Sequence, residues 1–403
     1  MWMPRLALNP PHHVLLLGLT QIIGYGTLYY SVAILAESVA AELGWPLSWI
    51  YASFSIGLLA GGLVSPFAGR LFDRLGAAHV MSAGSVICAL AVGLAAVAQS
   101  GIWFAACLIA FQVAGSLVFY DAAFVALAQV SGGGAALRIL QLTLIAGFAS
   151  TLFWPLTGWL NAEIGWRLTL LLYAALNLLI AAPVHRLLAL SRRTSGEQDR
   201  HAPGDEVPAF EPVPARIQRR IFVLVSFGFA ATGFALSAVL AQLVPVLKTL
   251  GFGEAALAVS MCFGPAQVVI RFANLVAGGN RHPIMATLVA VFMLPAAMLL
   301  LVLTAPNLAG AFLFAVFLGF YSGLTSIVSG TLPLALFGAQ DFGARLGNIA
   351  LFRKVLGAVA PFVLAWLIER QGATPALLVL VAVAALGAAA FVGVWRAAAI
   401  RFR

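Results

Sequence analysis

Charge is scarce in this sequence. Only 9% of its 403 residues are Asp, Glu, Lys or Arg, against about 25% in an ordinary soluble domain. So few charges cannot cover a water-facing surface, which excludes a soluble enzyme, a nucleic-acid-binding domain and a disordered scaffold. Cysteine is nearly absent as well. Cys88, Cys107 and Cys262 all lie inside long apolar runs, and no pair has metal-ligand spacing. The six histidines, His12, His13, His79, His185, His201 and His282, are expected at helix ends or in loops, with no cluster to hold a metal. There is no glycine-rich loop with a phosphate-cradling lysine, so nothing points to a nucleotide-driven pump. No Ser/His/Asp set falls within the apolar runs. No catalytic residue, metal, cofactor or nucleic-acid partner is therefore expected.

What is abundant is apolar length. Hydrophobic residues make up 63% of the chain, and the mean hydropathy is +1.04. A membrane-crossing helix needs about 20 mostly apolar residues. Twelve such runs follow one another: 13–36, 47–69, 77–98, 101–128, 139–161, 167–189, 220–245, 255–278, 283–303, 307–336, 343–368 and 374–397. Backbone polar groups in lipid must be satisfied within the segment, which favours helices. The short alternating strands of a barrel are missing. The first residues, MWMPRLALNPPHHV, show no small-residue cleavage site after a short apolar core, so the first run is read as a membrane helix. The expected fold is an all-α integral membrane bundle of twelve helices, with lipid as one partner.

Lys and Arg orient the bundle. With the N-terminus inside, sixteen of the 22 basic residues fall on the cytoplasmic side and three, Arg167, Lys248 and Arg370, outside. The remaining three, Arg271, Arg353 and Lys354, sit inside spans. Both termini are then cytoplasmic, and the sequence pI of about 10.1 is a topology signal. A bacterial inner membrane is the expected location.

Residues 186–219 break the apolar pattern with eight charges from Arg192 to Glu211 and four prolines. They read as a cytoplasmic linker between an N-terminal six-helix half, 1–185, and a C-terminal half, 220–403. The halves repeat weakly. ELGWP at 42–46 resembles TLGFG at 249–253, and Arg138 and Trp159 match Arg345 and Trp366 at the same offset of 207. VFYDA at 118–122 matches GFYSG at 319–323 at an offset of 201. Such paired halves are common among secondary transporters.

The loop after the second span reads Gly69-Arg70-Leu71-Phe72-Asp73-Arg74-Leu75-Gly76. It resembles the signature loop of the major facilitator superfamily, G-x-L-x-D-R-x-G, without the trailing basic pair, since Ala77, Ala78 and His79 follow. The equivalent loop of the second half, Gly278-Gly279-Asn280-Arg281, is degraded. Gly69 and Gly76 suit a tight connection. Asp73 is placed to accept hydrogen bonds from the free N–H groups that begin span eleven, near Gly343, where the helix dipole favours an anion. The resemblance implies that Asp73, with Arg74, gates the two halves. A solvated charged turn is the plain alternative.

Ionisable residues inside spans are expensive and mark function by default. Gln267, Arg271 and Asn274 share one face of span eight, which suggests a wet cavity. A guanidinium there holds a carboxylate through two parallel hydrogen bonds. An internal ion pair with Asp121 is the other reading. Arg353 and Lys354 on span eleven point about 100° apart. Lys354 shares its face with Ala350, Gly357 and Pro361 and is favoured as the cavity residue, with Arg353 as a packing or gating partner. An arginine on span eight with a lysine on span eleven is similar to the anion site of oxalate:formate antiporters and related monocarboxylate transporters. That resemblance implies that Arg271 and Lys354 clamp a carboxylate. Gln267 stands where the monocarboxylate group often has an acid, and the first span has no lysine.

Asp121 reads either as a proton site or as a fixed counter-charge for Arg271 or Arg353. Gln21 and Tyr25 on span one, Tyr120 on span four and Tyr321 with Thr325 on span ten are candidates for the pocket wall. Tyr29 and Tyr30, near the outer surface, read as ordinary helix packing or interfacial anchors. The function expected is secondary active transport of a small organic anion, a mono- or dicarboxylate, by alternating access, proton-coupled or exchanging, in a monomer. Efflux of a drug or toxic compound is the alternative. A non-transporting sensor or a membrane enzyme lacks any supporting domain or catalytic set.

Overall fold

The computed structural model of the chain describes residues 10–131, 134–195, 210–277 and 282–398. These residues form helices joined by short turns, without a strand among them. Membrane-length helices are His12–Leu43 (α1), Leu47–Leu75 (α2), Ala77–Ala96 (α3) and Gly101–Ser131 (α4). A 57-residue element, Ala135–Ser191, follows. At 1.5 Å per residue it is about 85 Å long, against about 30 Å of hydrocarbon. Gly165 breaks it, with φ 74° and ψ 167°. It therefore crosses twice, as 135–164 (α5) and 166–191 (α6). Then come Ala215–Ala241 (α7), Ala255–Val276 (α8), Pro283–Thr304 (α9), Leu308–Phe337 (α10), Phe342–Gln371 (α11) and Ala373–Ala397 (α12). A short apolar helix, Leu243–Phe252, follows α7.

The packing divides the chain into two compact units, 1–207 with 339–350, and 208–338 with 351–403. The start of α11 thus packs within the first unit. The cause is a close backbone crossing of α2 and α11. A Cβ added at Gly69 would run into the carbonyl of Gly343, and one at Gly347 into that of Ser65. Expectation and structure also differ at the linker 186–219. Helix continues to Ser195 and resumes at Ala215. Leu188 and Ala189 are buried there, so part of this charged segment has an apolar face to cover. Residues 196–209, and the degraded loop Gly278–Arg281, lie outside the described residues.

Each unit has its own core. In the first, Phe104, Phe111, Phe153, Trp166 and Tyr173 pack together. In the second, alanines such as Ala290, Ala297, Ala311, Ala315 and Ala384 let helices approach closely around Phe314 and Tyr321. The opposite helix faces expose large apolar side chains, Leu63, Ile102, Leu179, Leu303 and Phe362 among them. In water such a surface is an aggregation hazard; in a bilayer it is the lipid face.

One histidine departs from the sequence reading. His185 lies deep in α6, not at a helix end, 1% exposed. Its ring pairs with Ser85 of α3 at 2.9 Å and Thr20 of α1 at 2.9 Å. His13 is buried as well and pairs with Ser191 at 3.1 Å. His13 stands in the first turn of α1, at a helix end as expected, whereas His185 lies within span six, 167–189, and packs inside the unit. No group of three metal-ligating side chains occurs among the described residues.

Candidate functional site

The signature segment is mostly helix. Gly69 to Leu75 form the last turns of α2, and only Gly76, at φ 84°, makes the turn. Gly69 therefore serves the close approach to Gly343, a correction to its reading as a loop residue. Arg74 is exposed in the last turn of α2, where a cation suits the helix dipole. Asp73 accepts from the N–H of Gly343 and from that of Ala344, at 2.9 and 2.7 Å. Gln129 of α4 fastens the same turn, donating to the Phe72 carbonyl and accepting from the Ala77 N–H, both at 3.0 Å. Nothing in the sequence spacing singled out Gln129.

Asp121, 9% exposed, stands in the first turn of the second segment of α4, Tyr120–Ser131. The helix is interrupted between Gly115 and Tyr120. Asp121 lines a small polar cavity with Ser65, Ser116, Gly343 and Gly347. Its volume of about 10 Å³ is near the minimum that holds one water.

Helix α1 is also irregular. Gly26–Tyr30 form a π-helical turn, and Gly26 admits no Cβ because Phe153 fills the space. The two irregular helices are stitched reciprocally. Gln112 of α4 donates to the Leu28 carbonyl in the π-turn at 2.8 Å. Gln21 of α1 donates to the Val118 carbonyl in the α4 interruption at 2.6 Å. Gln21 thus has a structural duty beyond the pocket-wall reading. Each glutamine keeps a buried Oε1 without a partner among the described residues.

Around the π-turn, Tyr25 stacks on Phe119 at 4.6 Å and meets Tyr120 at 4.8 Å. Tyr29 and Tyr30 meet edge to face at 5.3 Å, and Tyr30 meets Trp154 at 5.9 Å. Because α1 runs from His12 to Leu43, Tyr29 and Tyr30 lie near its middle. Of their two readings, the interfacial anchor rested on a span ending at 36, while these ring contacts agree with ordinary helix packing.

In the second unit, Arg271 is 6% exposed. Its Nε donates to Ser326 at 3.1 Å and its Nη2 to Gln267 at 3.2 Å. The Ser322 hydroxyl reaches the same Gln267 Oε1 at 3.4 Å. The meeting of α8 and α10 depends on Gly319 and Gly323, where added Cβ atoms would lie 2.6 Å from the Phe263 carbonyl and 2.7 Å from that of Gln267. Sequence reasoning missed Ser326; the four-residue glycine spacing is the signal that marks this face of α10. The neighbouring face, with Tyr321, turns into the core, and Tyr321 is fully buried there. Asn274 shares the face of Arg271, half-buried, without a hydrogen bond to the cluster.

On α11, Arg353 and Lys354 are both half-buried. The stem of Arg353 lies against α7, where a Cβ at Gly233 would sit 3.1 Å from its Cγ. Pro361 has no N–H, so the carbonyl of Gly357 loses its helical donor. Ser237 of α7 replaces it at 2.7 Å, and Gln242 donates to the Pro361 carbonyl at 3.1 Å.

Paired helical units, interrupted helices and ionisable side chains inside spans define a membrane transporter. The sequence matches the family model of the Major Facilitator Superfamily over residues 16–361, and the chain belongs to that superfamily. It is accordingly a secondary transporter working by alternating access, not an enzyme. The fold is similar to the crystal structure of the human organic anion transporter MFSD10 (TETRAN), with TM-score 0.72 and 17% identity over 94% of this chain and 98% of that one. It is also similar to the transporter FucP in its outward conformation, with TM-score 0.68 and 13% identity over the same shares. No curated protein matches the sequence significantly.

Proposed function

We propose that the protein carries a small organic anion, a mono- or dicarboxylate, with Arg271 as the principal anion-binding residue. One observation carries this reading. Arg271 is buried in a membrane helix, and the uncharged side chains of Gln267 and Ser326 fix the plane of its guanidinium. A guanidinium of fixed plane suits a carboxylate, which takes two parallel hydrogen bonds from it. Lys354 adds a second cation, while Arg353, packed on α7, serves as its structural neighbour. Substrate offsets this positive charge and lowers the cost of excluding water, so that the site closes when loaded. The reading agrees with the resemblance to oxalate:formate and monocarboxylate carriers. MFSD10 is an organic anion transporter, but at 17% identity that likeness speaks for the fold.

Asp121 supplies either the proton site of a symporter or a fixed charge in an exchanger. Gly69, Asp73, Arg74 and Gly76 form the gating segment, in which Asp73 holds the first turn of α11. The distribution of arginine supports a topology with both termini cytoplasmic, and the reading extends to a monomeric carrier of a bacterial inner membrane. The test is uptake by purified protein in liposomes. Saturable uptake of at least one carboxylate, with its amide analogue excluded, is expected. Uptake restricted to neutral or cationic compounds would overturn the reading.

A further inference from the structure

The first turns of α7 carry a surface that the transport reading does not use. Arg216, Arg219 and Arg220 lie close together in the sequence, and all three are exposed. From Ala215 to Ala241 the helix is regular, so successive residues step about 100° around its axis. The three arginines, Val223 and Phe227 therefore share one face, spread over about 100° of the circumference. Val223 is 58% and Phe227 50% exposed. The opposite face, with Ile221, Val225 and Phe229, is buried. A single face thus runs from exposed cations to exposed apolar side chains. That is the order in which an embedded helix passes from lipid headgroups into hydrocarbon.

Such a cluster of charge is unfavourable by itself. Like charges three and four residues apart repel, and cations at the start of a helix oppose its dipole. No ion pair joins the three arginines to a carboxylate among the described residues. The turn is nevertheless held in place. The Val213 N–H donates to the Leu336 carbonyl near the end of α10 at 2.9 Å, and Gln218 donates to the Val213 carbonyl at 3.1 Å. Phe222 meets Phe337 at 5.9 Å. All these contacts lie within the second unit. Orienting a membrane helix needs basic residues on one side of the bilayer. It does not need three of them above the lipid face of one anchored turn. A phosphate bridging the guanidiniums offsets both penalties, and arginine binds phosphate through paired hydrogen bonds.

We infer that the start of α7 binds an anionic glycerophospholipid, with its phosphate on Arg216, Arg219 and Arg220 and its acyl chains along Val223 and Phe227. The inference is independent of the substrate proposed above.

The experiment titrates the full chain, purified in detergent and stripped of lipid, with phosphatidylglycerol or with phosphatidylcholine of the same acyl chains. Bound lipid is followed by native mass spectrometry. Both lipids carry a phosphate, but only the first has a net negative charge. Phosphatidylglycerol should bind more tightly by on the order of a hundredfold, from about fivefold for each of three basic residues near the membrane surface. Arg216→Gln, Arg219→Gln and Arg220→Gln combined should bring the two lipids close to equality. Arg220→Gln alone should lower the preference about fivefold, and it reads the site even where the triple variant is unstable. Arg396→Gln, at an exposed arginine in the last turn of α12, should leave the preference unchanged. Equal binding of the two lipids by the parent chain, or a preference that the triple variant keeps, overturns the inference. So does displacement of phosphatidylglycerol by millimolar inorganic phosphate, which would make the arginines a site for a free anion.

Discussion

Asp73 and Gly343, 270 positions apart in the chain, meet as a carboxylate on a helix N-terminus. Oδ1 accepts the Gly343 N–H, and Oδ2 accepts that of Ala344. Both glycines of the crossing are needed for it, since a Cβ at Gly69 or Gly343 would strike the carbonyl of the other. The bonds join a charged acceptor to free helical donors, each contributing about 1.5–3 kcal/mol.

Asp73→Asn keeps one acceptor and loses the charge. Maximal transport rate should fall on the order of tenfold, with half-saturation changed by less than about twofold, because the bond acts on the conformational balance. Initial-rate measurements over a range of substrate concentration decide the matter. A loss of affinity at full maximal rate contradicts the gating role.

Removing the cation of the anion site should be more severe. Arg271→Ala is expected to lower uptake by at least about 30-fold, the effect of losing one member of a buried charged pair. Arg271→Lys should also fail, since an ammonium lacks the planar fork. Membrane insertion should survive, because one arginine is a small change against twelve apolar helices. Uptake near the parent level in the alanine variant, at matched amounts of membrane protein, would remove Arg271 from the site.

Asp121→Asn separates the two roles of that carboxylate. As a proton carrier, the variant should lose uptake driven by a pH gradient and retain substrate-for-substrate exchange, which needs no return of the empty carrier. As a fixed counter-charge, both modes should fail together with a lower melting temperature. Intact pH-driven uptake excludes the proton role.

His282 offers a test outside the spans. Its Nδ1 accepts the Ile284 N–H at 3.1 Å and so caps α9, and Phe210 covers its ring at 4.6 Å. Burial pushes its pKa from 6.5 down to about 4. Between those values the unfolded chain binds the proton and the folded one does not. Stability therefore falls as pH drops through this window, because a protonated Nδ1 no longer accepts. His282→Asn keeps a cap without a titrating group. Its melting temperature in detergent should drop less than the parent's between about pH 7 and about pH 5. Equal drops would dismiss His282 as the titrating group.

Much of this molecule was legible in one dimension because lipid imposes a one-dimensional rule. Each span must satisfy its own backbone, so apolar run length counted the helices and arginine placement suggested their direction. The Gly69–Gly76 segment and the ionisable positions Asp121, Arg271, Arg353 and Lys354 stood out for the same reason: charge inside an apolar run is conspicuous. Tertiary structure alone decided what those runs do sideways. Sequence periodicity assumed regular helices, and the π-turn at Gly26–Tyr30 and the interruption before Tyr120 rotate side chains away from that pattern. These irregularities persist because Gln112 and Gln21 from opposite helices satisfy the carbonyls involved. Ser326 joined Arg271, and Tyr321 went to the core, because Gly319 and Gly323 set which face of α10 meets α8. A span's existence follows from its own residues; its rotation and its breaks depend on donors and shapes supplied by neighbours far away in the chain.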